Sequence, residues 1–380
     1  DVYTRAVELC ERVGETGHPY AEALHGLAQH HLSAVRFGDA AEVANVLLAH
    51  AAGSGDERAE MLAHRALSQI RFWTGRYTDV QRHTDRALTL YQPDDPTDSR
   101  YAMGMEHGVI AMTYGAVGHW ALGRPHLAVE LADRCVDHAV AQPDVYQQAY
   151  AQAYLSMLGI MLDDPERVER WARSAKAIAE RHGFLPIEGL SRYTLAWAMA
   201  ERGDPAAFDM VVSGIGILAG LGTGLGAPGC MAVVAEMYVK KGEYAEAAGY
   251  VAFGESMAEP TGQHFYTVEL HRSAALAHLG LADQATDGDV RAAELAAAEQ
   301  CARQAIELAR QQASPSLELR AIQPIIELHH RRGDLDAARE LVRTVVDKFP
   351  ADSSGRDLDR ARAALEGRAD LRPTLRFSTT

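Results

Sequence analysis

Apolar side chains recur every three or four residues along most of the chain, and short polar turns separate the apolar stretches. The first two stretches show the repeated positions at Leu24, Leu27, Ala28, His31, Leu32 and Val35, and then at Ala40, Val43, Ala44, Leu47 and Ala51. This spacing places the repeated positions on one face of an α-helix. No segment sustains the strict alternation of apolar and polar residues that is typical of strands. The pattern therefore predicts an all-α protein.

A short turn signature with glycine or aspartate at its centre recurs along the chain. It occurs as RFGDA, WTGRY, ALGRP, LDDPE, ERGDP, KKGEY, HLGLA and RRGDL, centred on Gly38, Gly75, Gly123, Asp163, Gly203, Gly242, Gly280 and Gly333. The two longest gaps between these centres contain the polar stretches YQPDDPTDSR and QATDGDVRAA. Glycine suits the left-handed position that ends a helix, and Asp or Pro beside it suits the start of the next one. Each signature therefore predicts the turn of a helical hairpin.

Hairpins of this size must stack on one another to be stable. Ordering about 40 residues costs roughly 60 kcal/mol, at about 1.5 kcal/mol per residue. At about 25 cal/mol per Å², roughly 2,400 Å² of apolar burial is needed to offset this cost, more than two helices bury against each other. We therefore predict a right-handed α-α superhelix of about eight hairpins. We expect the repeat array over residues 1–350, a capping helix over residues 351–366 and a flexible tail over residues 367–380.

One glycine-rich stretch has the spacing of a nucleotide-binding motif. Gly224–Gly229 has the pattern G-x-G-x-x-G, which in dinucleotide-binding folds follows a strand and opens a helix. Here it follows FDMVVSGIGILAGL, which the periodicity predicts to be a helix. The chain also lacks the G-x-x-x-x-G-K-[ST] pattern of a P-loop. We therefore expect a joint between two hairpins and no nucleotide cofactor.

Composition excludes several classes of partner. The net charge is −15, from 37 Lys and Arg against 52 Asp and Glu, which disfavours binding to nucleic acid or to an anionic membrane. The segment from Met210 to Ala235 is uncharged and long enough to span a bilayer. It contains seven glycines and a proline, however, and repeats continue on both sides of it. With four scattered cysteines and no C-x-x-C, the composition favours a cytoplasmic protein with reduced thiols.

Residues that could carry out chemistry do not form a recognisable set. His25, His30 and His31 belong to one predicted helix, but no two of them are three or four residues apart, the spacing that places two ligands on one helix face. The metal-binding pattern H-E-x-x-H and the nucleophile elbow G-x-S-x-G are both absent. We therefore predict no catalytic residue, metal site or cofactor. A helical enzyme that uses the histidine-rich first repeats stays open as an alternative.

Aromatic and charged residues on the first helix of each hairpin are candidates for contact with a partner. First helices line the inner groove of such superhelices. A buried seam between hairpins would have no use for charged side chains, although Glu269 and Arg272 are three residues apart and can pair locally. The candidates for a groove that binds a protein, a peptide or a small effector are His107, Tyr114, Tyr154, Arg192, Tyr238, Glu269, Arg272 and Arg320.

The repeat spacing resembles that of the tetratricopeptide family. Gly75, Tyr77 and Ala87 stand at the offsets of that family, and Pro350 follows the last repeat where the family closes its second helix. Copies with proline at the tyrosine position, and units longer than 34 residues, depart from the consensus. The resemblance is therefore to a divergent tetratricopeptide array.

Longer stretches resemble one group of bacterial multidomain signalling ATPases. They include GHWALGRPHLAVELADRCVDHA, FYTVELHRSAALAHLG and SPSLELRAIQPIIELHHRRGDLDAARELV, and the resemblance covers residues 1–366. Proteins of that group carry an adenylate/guanylate cyclase or a helix-turn-helix domain, and their C-terminal halves are divergent tetratricopeptide arrays. The resemblance implies a non-catalytic sensor module, with ATPase and cyclase domains N-terminal to Asp1 in the same polypeptide. The alternative is a self-standing scaffold that binds peptide segments of other proteins.

Overall fold

Helices make up 81% of the computed structural model, which describes residues 2–92, 106–222 and 224–370. No strand occurs in these three ranges, so the all-α prediction is confirmed. The helices are α1 (Val2–Val13), α2 (His18–Ser33), α3 (Phe37–Ser54), α4 (Glu57–Trp73), α5 (Tyr77–Leu90), α6 (His107–Ala121), α7 (Pro125–Ala141), α8 (Val145–Met161), α9 (Pro165–His182), α10 (Leu185–Glu201), α11 (Ala207–Gly220), α12 (Ala227–Lys241), α13 (Tyr244–Thr261), α14 (Thr267–Gln284), α15 (Gly288–Gln311), α16 (Pro315–Ala321), α17 (Gln323–Arg332), α18 (Leu335–Val346) and α19 (Arg356–Leu365).

Consecutive helices pack in pairs, as the repeats predict. Seven hairpins run from α2–α3 to α14–α15, and the bent helix α16–α17 forms an eighth with α18. The bend lies at Ile322, because Pro324 has no N–H to continue the helical hydrogen bonds. Helix α1 precedes the first hairpin and α19 follows the last. The prediction of about eight stacked hairpins is confirmed.

The predicted turns are correct with two exceptions. Six of the eight centres adopt the left-handed conformation and end a first helix, namely Gly75, Gly123, Asp163, Gly203, Gly242 and Gly333. At the first turn, Gly38 lies inside α3, and Val35 takes the left-handed conformation with φ of +60°. Gly280 lies inside α14, where an added Cβ would come 2.2 Å from the Tyr244 ring, and the chain turns later, before α15. This glycine therefore marks a close helix contact, which has the same sequence signal as a turn.

Successive turns of the superhelix stack end to end. The backbone N–H groups of His264 and Phe265, just before α14, both donate to the Trp73 carbonyl at the end of α4, at 3.0 Å. The Ser316 hydroxyl in α16 donates to the Trp120 carbonyl in the last turn of α6, at 2.5 Å. The last carbonyls of a helix have no partner within the helix, so donors from the next superhelical turn satisfy them. The superhelix therefore returns upon itself after about five hairpins.

The C-terminal helices extend this contact along the ends of the early hairpins. The Ser353 hydroxyl donates to the Gly123 carbonyl at 2.6 Å, and the Arg320 guanidinium donates to the Met161 carbonyl at 3.4 Å. Helix α6, which lies between the two turns, is buried over nearly its whole length. The interior of the superhelix is therefore packed with the chain's own side chains.

Gly75 tests the contact between superhelical turns. Gly75→Ala is expected to lower the free energy of unfolding by about 1 kcal/mol more than Gly242→Ala, measured by urea denaturation. Both glycines have positive φ, so both substitutions introduce the same backbone strain of about 1–2 kcal/mol. Only at Gly75 would the new Cβ meet the other turn, 2.5 Å from the Gln312 amide nitrogen and 3.1 Å from the His264 carbonyl oxygen. Equal losses for the two variants would contradict the stacking.

The glycine-rich stretch forms the predicted joint. Helix α11 precedes it, and Gly226 caps the N-terminus of α12 in the left-handed conformation. None of the helices in the described ranges is both long and apolar enough to span a membrane. Residues 93–105, which include most of the stretch YQPDDPTDSR, lie outside the described residues, as do Thr223 and residues 371–380 of the predicted tail. Helix α19 lies within the range expected for a capping helix, whose boundaries stay a prediction.

Candidate partner-binding surfaces

The structure buries most of the side chains predicted to line an inner groove. Five of the eight are less than 7% exposed, namely His107, Tyr114, Glu269, Arg272 and Arg320. The other three are partly buried against the chain itself. Tyr154 stacks on Tyr150, Tyr238 stacks on Tyr250, and Arg192 pairs with Glu188 at 2.8 Å. Contact of any of the eight with a partner stays a prediction.

Three of these residues belong to a buried network of charges. Arg320 donates to both carboxylate oxygens of Glu269, at 3.0 and 3.1 Å. Arg272 pairs with Glu269 at 2.6 Å and with Glu236 at 3.0 Å. Lys240 pairs with Glu236 at 3.2 Å. The network continues from Lys240 to Glu201, so α10, α12, α14 and α16 are joined along the inside of the superhelix.

The network stays charged although it is buried. Burial opposes charge on Arg320, but Glu269 and Glu236 outweigh this effect and raise its pKa. Burial likewise opposes ionisation of Glu236, yet the neighbouring Lys240, Arg272 and Arg320 hold its pKa far below the ordinary range. A buried charge is tolerated only when partners of opposite sign surround it. Burial raises the pKa of Glu201, and with all six groups ionised the three carboxylates and three cations named above balance each other.

This network corrects one argument from the sequence. Charged side chains on first helices were expected to face a partner, because a seam between hairpins would not use them. That argument is wrong for Glu269, Arg272 and Arg320, which satisfy one another in the seam. The expected local ion pair between Glu269 and Arg272 is confirmed. The signal in the sequence was the placement of these charges inside the apolar runs TVELHRSAALA and SLELRAI.

Of the early histidines, His25 lies inside the array, while His30 is exposed and His31 is partly buried. His25 faces Arg65, with 2.7 Å between the imidazole Nε2 and the guanidinium Nη1, and its ring lies 5.9 Å from that of His107. Burial, together with Arg65 and His107, lowers the pKa of His25 well below its usual value. Neutral His25 therefore accepts a hydrogen bond from Arg65. Within the described ranges, no three His, Cys, Asp or Glu side chains are grouped as metal ligands would be.

An open groove lies on the outer side of the array, where no residue was predicted to bind a partner. Helices α13 and α15 both pack on α14 but lie apart from each other, leaving a groove of about 1030 Å³ between them. Leu270, Thr267 and His271 of α14 form its floor. The α15 wall is a stripe of residues that recurs every three or four positions from Ala296 to Gln311. Sequence reasoning missed the groove because nothing local signals that two second helices diverge.

The groove is acidic. Its walls carry four carboxylates and one guanidinium, namely Glu255, Glu259, Glu299, Glu307 and Arg303. Arg303 pairs with Glu299 at 2.6 Å, and Glu255 lies 3.1 Å from the His271 imidazole. Glu259 and Glu307 form no ion pair with any described residue. With the histidines neutral, the lining therefore carries a net charge of −3, from four carboxylates and one guanidinium.

One end of the groove adjoins the contact between superhelical turns. The His264 side chain lines the groove, while its backbone N–H donates to the Trp73 carbonyl in the other turn. Gln311 lines the opposite wall. The side-chain amide of the next residue, Gln312, donates to the His264 carbonyl at 2.9 Å. A molecule in this end of the groove would therefore touch residues that hold the two turns together.

Comparisons with known proteins give likenesses of fold. No protein-family model and no curated protein sequence matches the chain. Among solved structures, aspartyl phosphate phosphatase F from Bacillus subtilis is 10% identical with a TM-score of 0.49, covering 80% of this chain and 75% of that one. A Rap protein complexed with competence and sporulation factor is 13% identical with a TM-score of 0.41, covering 91% of this chain and 83% of that one.

Yeast Tom70 is a third solved structure with a similar arrangement. It is 12% identical with a TM-score of 0.42, and the match covers 93% of this chain and 60% of the Tom70 chain. These neighbours are helical-repeat proteins of the tetratricopeptide type. At such identities and TM-scores the likenesses carry no argument about function, and the fold described above rests on this chain's own helices.

Proposed function

We propose that the chain is a non-catalytic regulatory repeat array that binds a protein partner in the acidic groove between α13 and α15. The observation that supports this proposal best is the groove itself. It is open to solvent, about 1030 Å³ in volume, and partly lined by carboxylates without a cation. This volume lies at the upper end of the range for small-molecule sites, which are also more enclosed and more apolar. A polypeptide segment suits such a groove better than a small effector does.

The groove has a route by which binding could be transmitted. A partner that contacts His264 and Gln311 binds next to the hydrogen bonds that join α4 to α14. If the partner binds the stacked arrangement of turns more tightly than a loosened one, it shifts the equilibrium by that difference in affinity. The ends of the array would then move relative to each other. This is the physical basis for a sensor that acts on an attached domain.

We further propose that the attached domain is a signalling ATPase with a cyclase or transcription-regulator domain in the same cytoplasmic polypeptide. The test is the mass of the native gene product, measured in its source cells with an antibody against this 41.3 kDa chain. A product of roughly twice this mass or more is expected, since each additional domain adds on the order of 100–150 residues. A product of the chain's own mass would contradict the attached domain and favour the self-standing scaffold.

A further inference from the structure

We propose that the occupant of the groove between α13 and α15 is a cationic amphipathic helix. This inference rests on the proposed function, since it names the chemistry of the partner that this groove would take. It depends on three features of the groove: its length, its apolar side chains, and the distribution of its charges.

The length of the groove matches a short helix. The lining stripe of α15 runs from Ala296 to Gln311, which at 1.5 Å per residue is about 22 Å. A partner helix lying along this stripe would have about four turns. The wall that α13 contributes is a shorter stripe of the same kind, formed by Glu255, Ala258 and Glu259. Two helical walls on either side of an open groove offer a cradle for a third helix that packs its side chains between them.

Each of the three helices that form the groove contributes one apolar side chain to it. Leu270 of α14 and Ala258 of α13 are almost fully buried, and Leu308 of α15 is partly exposed beside them. Because Leu270 and Ala258 are already buried, a partner gains free energy here by covering Leu308 and the aliphatic parts of the wall side chains, which requires apolar side chains in a stripe. Apolar residues at intervals of three and four on a helix form such a stripe, which is how helices bind in grooves of other proteins.

The walls select the charge of the partner. Glu259 lies on the α13 wall and Glu307 lies on the α15 wall, so a carboxylate without an ion pair stands on each side of the groove. A helix with Lys or Arg on both flanks of its apolar stripe would place a cation beside each wall. An acidic helix would bring like charges together, which opposes binding. The arrangement therefore favours a cationic helix over a neutral or an acidic one.

The experiment uses three fluorescein-labelled peptides of 16 residues, designed for about four helical turns. The first has a Leu and Ala stripe flanked by Lys, the second has the same composition in scrambled order, and the third has Glu in place of every Lys. Fluorescence anisotropy against the full chain measures the dissociation constant Kd of each. We expect the first peptide to bind, and its Kd to rise with salt because exposed charges are screened.

Two variants with substitutions in the groove, and one control variant, test the site. The double variant Glu259→Gln/Glu307→Gln is expected to raise the Kd of the first peptide about tenfold, because it removes two ion pairs of about 0.5–1 kcal/mol each. The control Glu42→Gln/Glu166→Gln changes the net charge equally at exposed positions outside the groove and should leave the Kd unchanged. Gln304→Trp, on the exposed α15 wall, should block the groove, with a melting temperature like that of the parent chain confirming that the variant is folded.

The outcomes separate this inference from the function on which it rests. Binding of the acidic peptide that Gln304→Trp abolishes would overturn the cationic occupant but leave the groove as a partner site. Equal binding of the scrambled peptide would show attraction of any polycation and overturn the helical occupant. Absence of binding by all three peptides would overturn both the cationic helix and the groove as the site of the proposed function.

Discussion

Arg320→Met is expected to lower the free energy of unfolding by about 3–5 kcal/mol. The Arg320 guanidinium donates to both oxygens of Glu269 and lies 3.4 Å from Glu236. Methionine fills most of the same space but leaves these two carboxylates buried with one cation fewer. Chemical denaturation monitored by circular dichroism measures the loss. The additional substitution Glu269→Gln should recover part of it, because it removes one of the uncompensated charges.

A matched control shows whether burial causes this loss. Arg343 pairs with Glu340, but both side chains are more than half exposed, so Arg343→Met should change the free energy of unfolding by at most about 0.5 kcal/mol. If Arg320→Met cost no more than Arg343→Met, the network would not hold the first helices together. Stacking of the superhelical turns would then depend on the aromatic contacts and helix-end hydrogen bonds alone.

Substitution by alanine should change the free energy of unfolding in opposite directions at two glycines of α11. Gly214→Ala is expected to lower the free energy of unfolding by about 3 kcal/mol, because its Cβ would lie 2.8 Å from both the Gly189 carbonyl oxygen and the Tyr193 backbone nitrogen of α10. Backbone atoms cannot give way as a flexible side chain can. Gly216→Ala should raise the free energy of unfolding by about 0.5–1 kcal/mol, since nothing lies within 4 Å of the added Cβ and alanine favours a helix. Urea denaturation of both variants measures the difference.

This pair also explains the glycine-rich segment. The two positions belong to one helix, so helix propensity alone would stabilise both variants by a similar amount. Stabilisation by Gly214→Ala would show that α10 and α11 lie farther apart than the structure places them. The glycines of α11 therefore have unlike roles, since Gly214 permits close packing on α10 while Gly216 faces open space.

The closure of the superhelix limits where a partner can bind. In an open superhelix the first helices would offer a concave surface, which was the basis for predicting contacts at His107, Tyr114 and Arg320. Here the ends of α4 and α6 are capped by residues of the next turn, and the inner surface is filled. Access to it would require breaking those hydrogen bonds. The outer groove needs no such opening, which is why the proposed function is placed there.

The sequence by itself determined the repeat architecture, because its signals are local. Helical periodicity depends on residues three and four apart, and a hairpin turn depends on a few adjacent residues such as Gly75 and its neighbours. The hairpin count, most of the turns, and the role of Gly224–Gly229 as a joint followed from these signals. The error at Gly280 has the same origin, since a glycine needed for close packing cannot be told from one needed for a turn. At Gly38 the chain turns three residues earlier, because Val35 takes the left-handed conformation and α3 begins at Phe37.

Only the tertiary structure decided which surfaces are open. Ser316 and Trp120 are 196 residues apart in the chain, and nothing near either one predicts that they meet. Small rotations between hairpins accumulate along the array, and their sum sets whether the turns touch and whether α13 and α15 diverge. The burial of Glu269 and Arg320, and the exposure of Glu259 and Glu307, both depend on that sum. Local sequence specifies each hairpin, while the accumulated geometry of all the hairpins specifies the site.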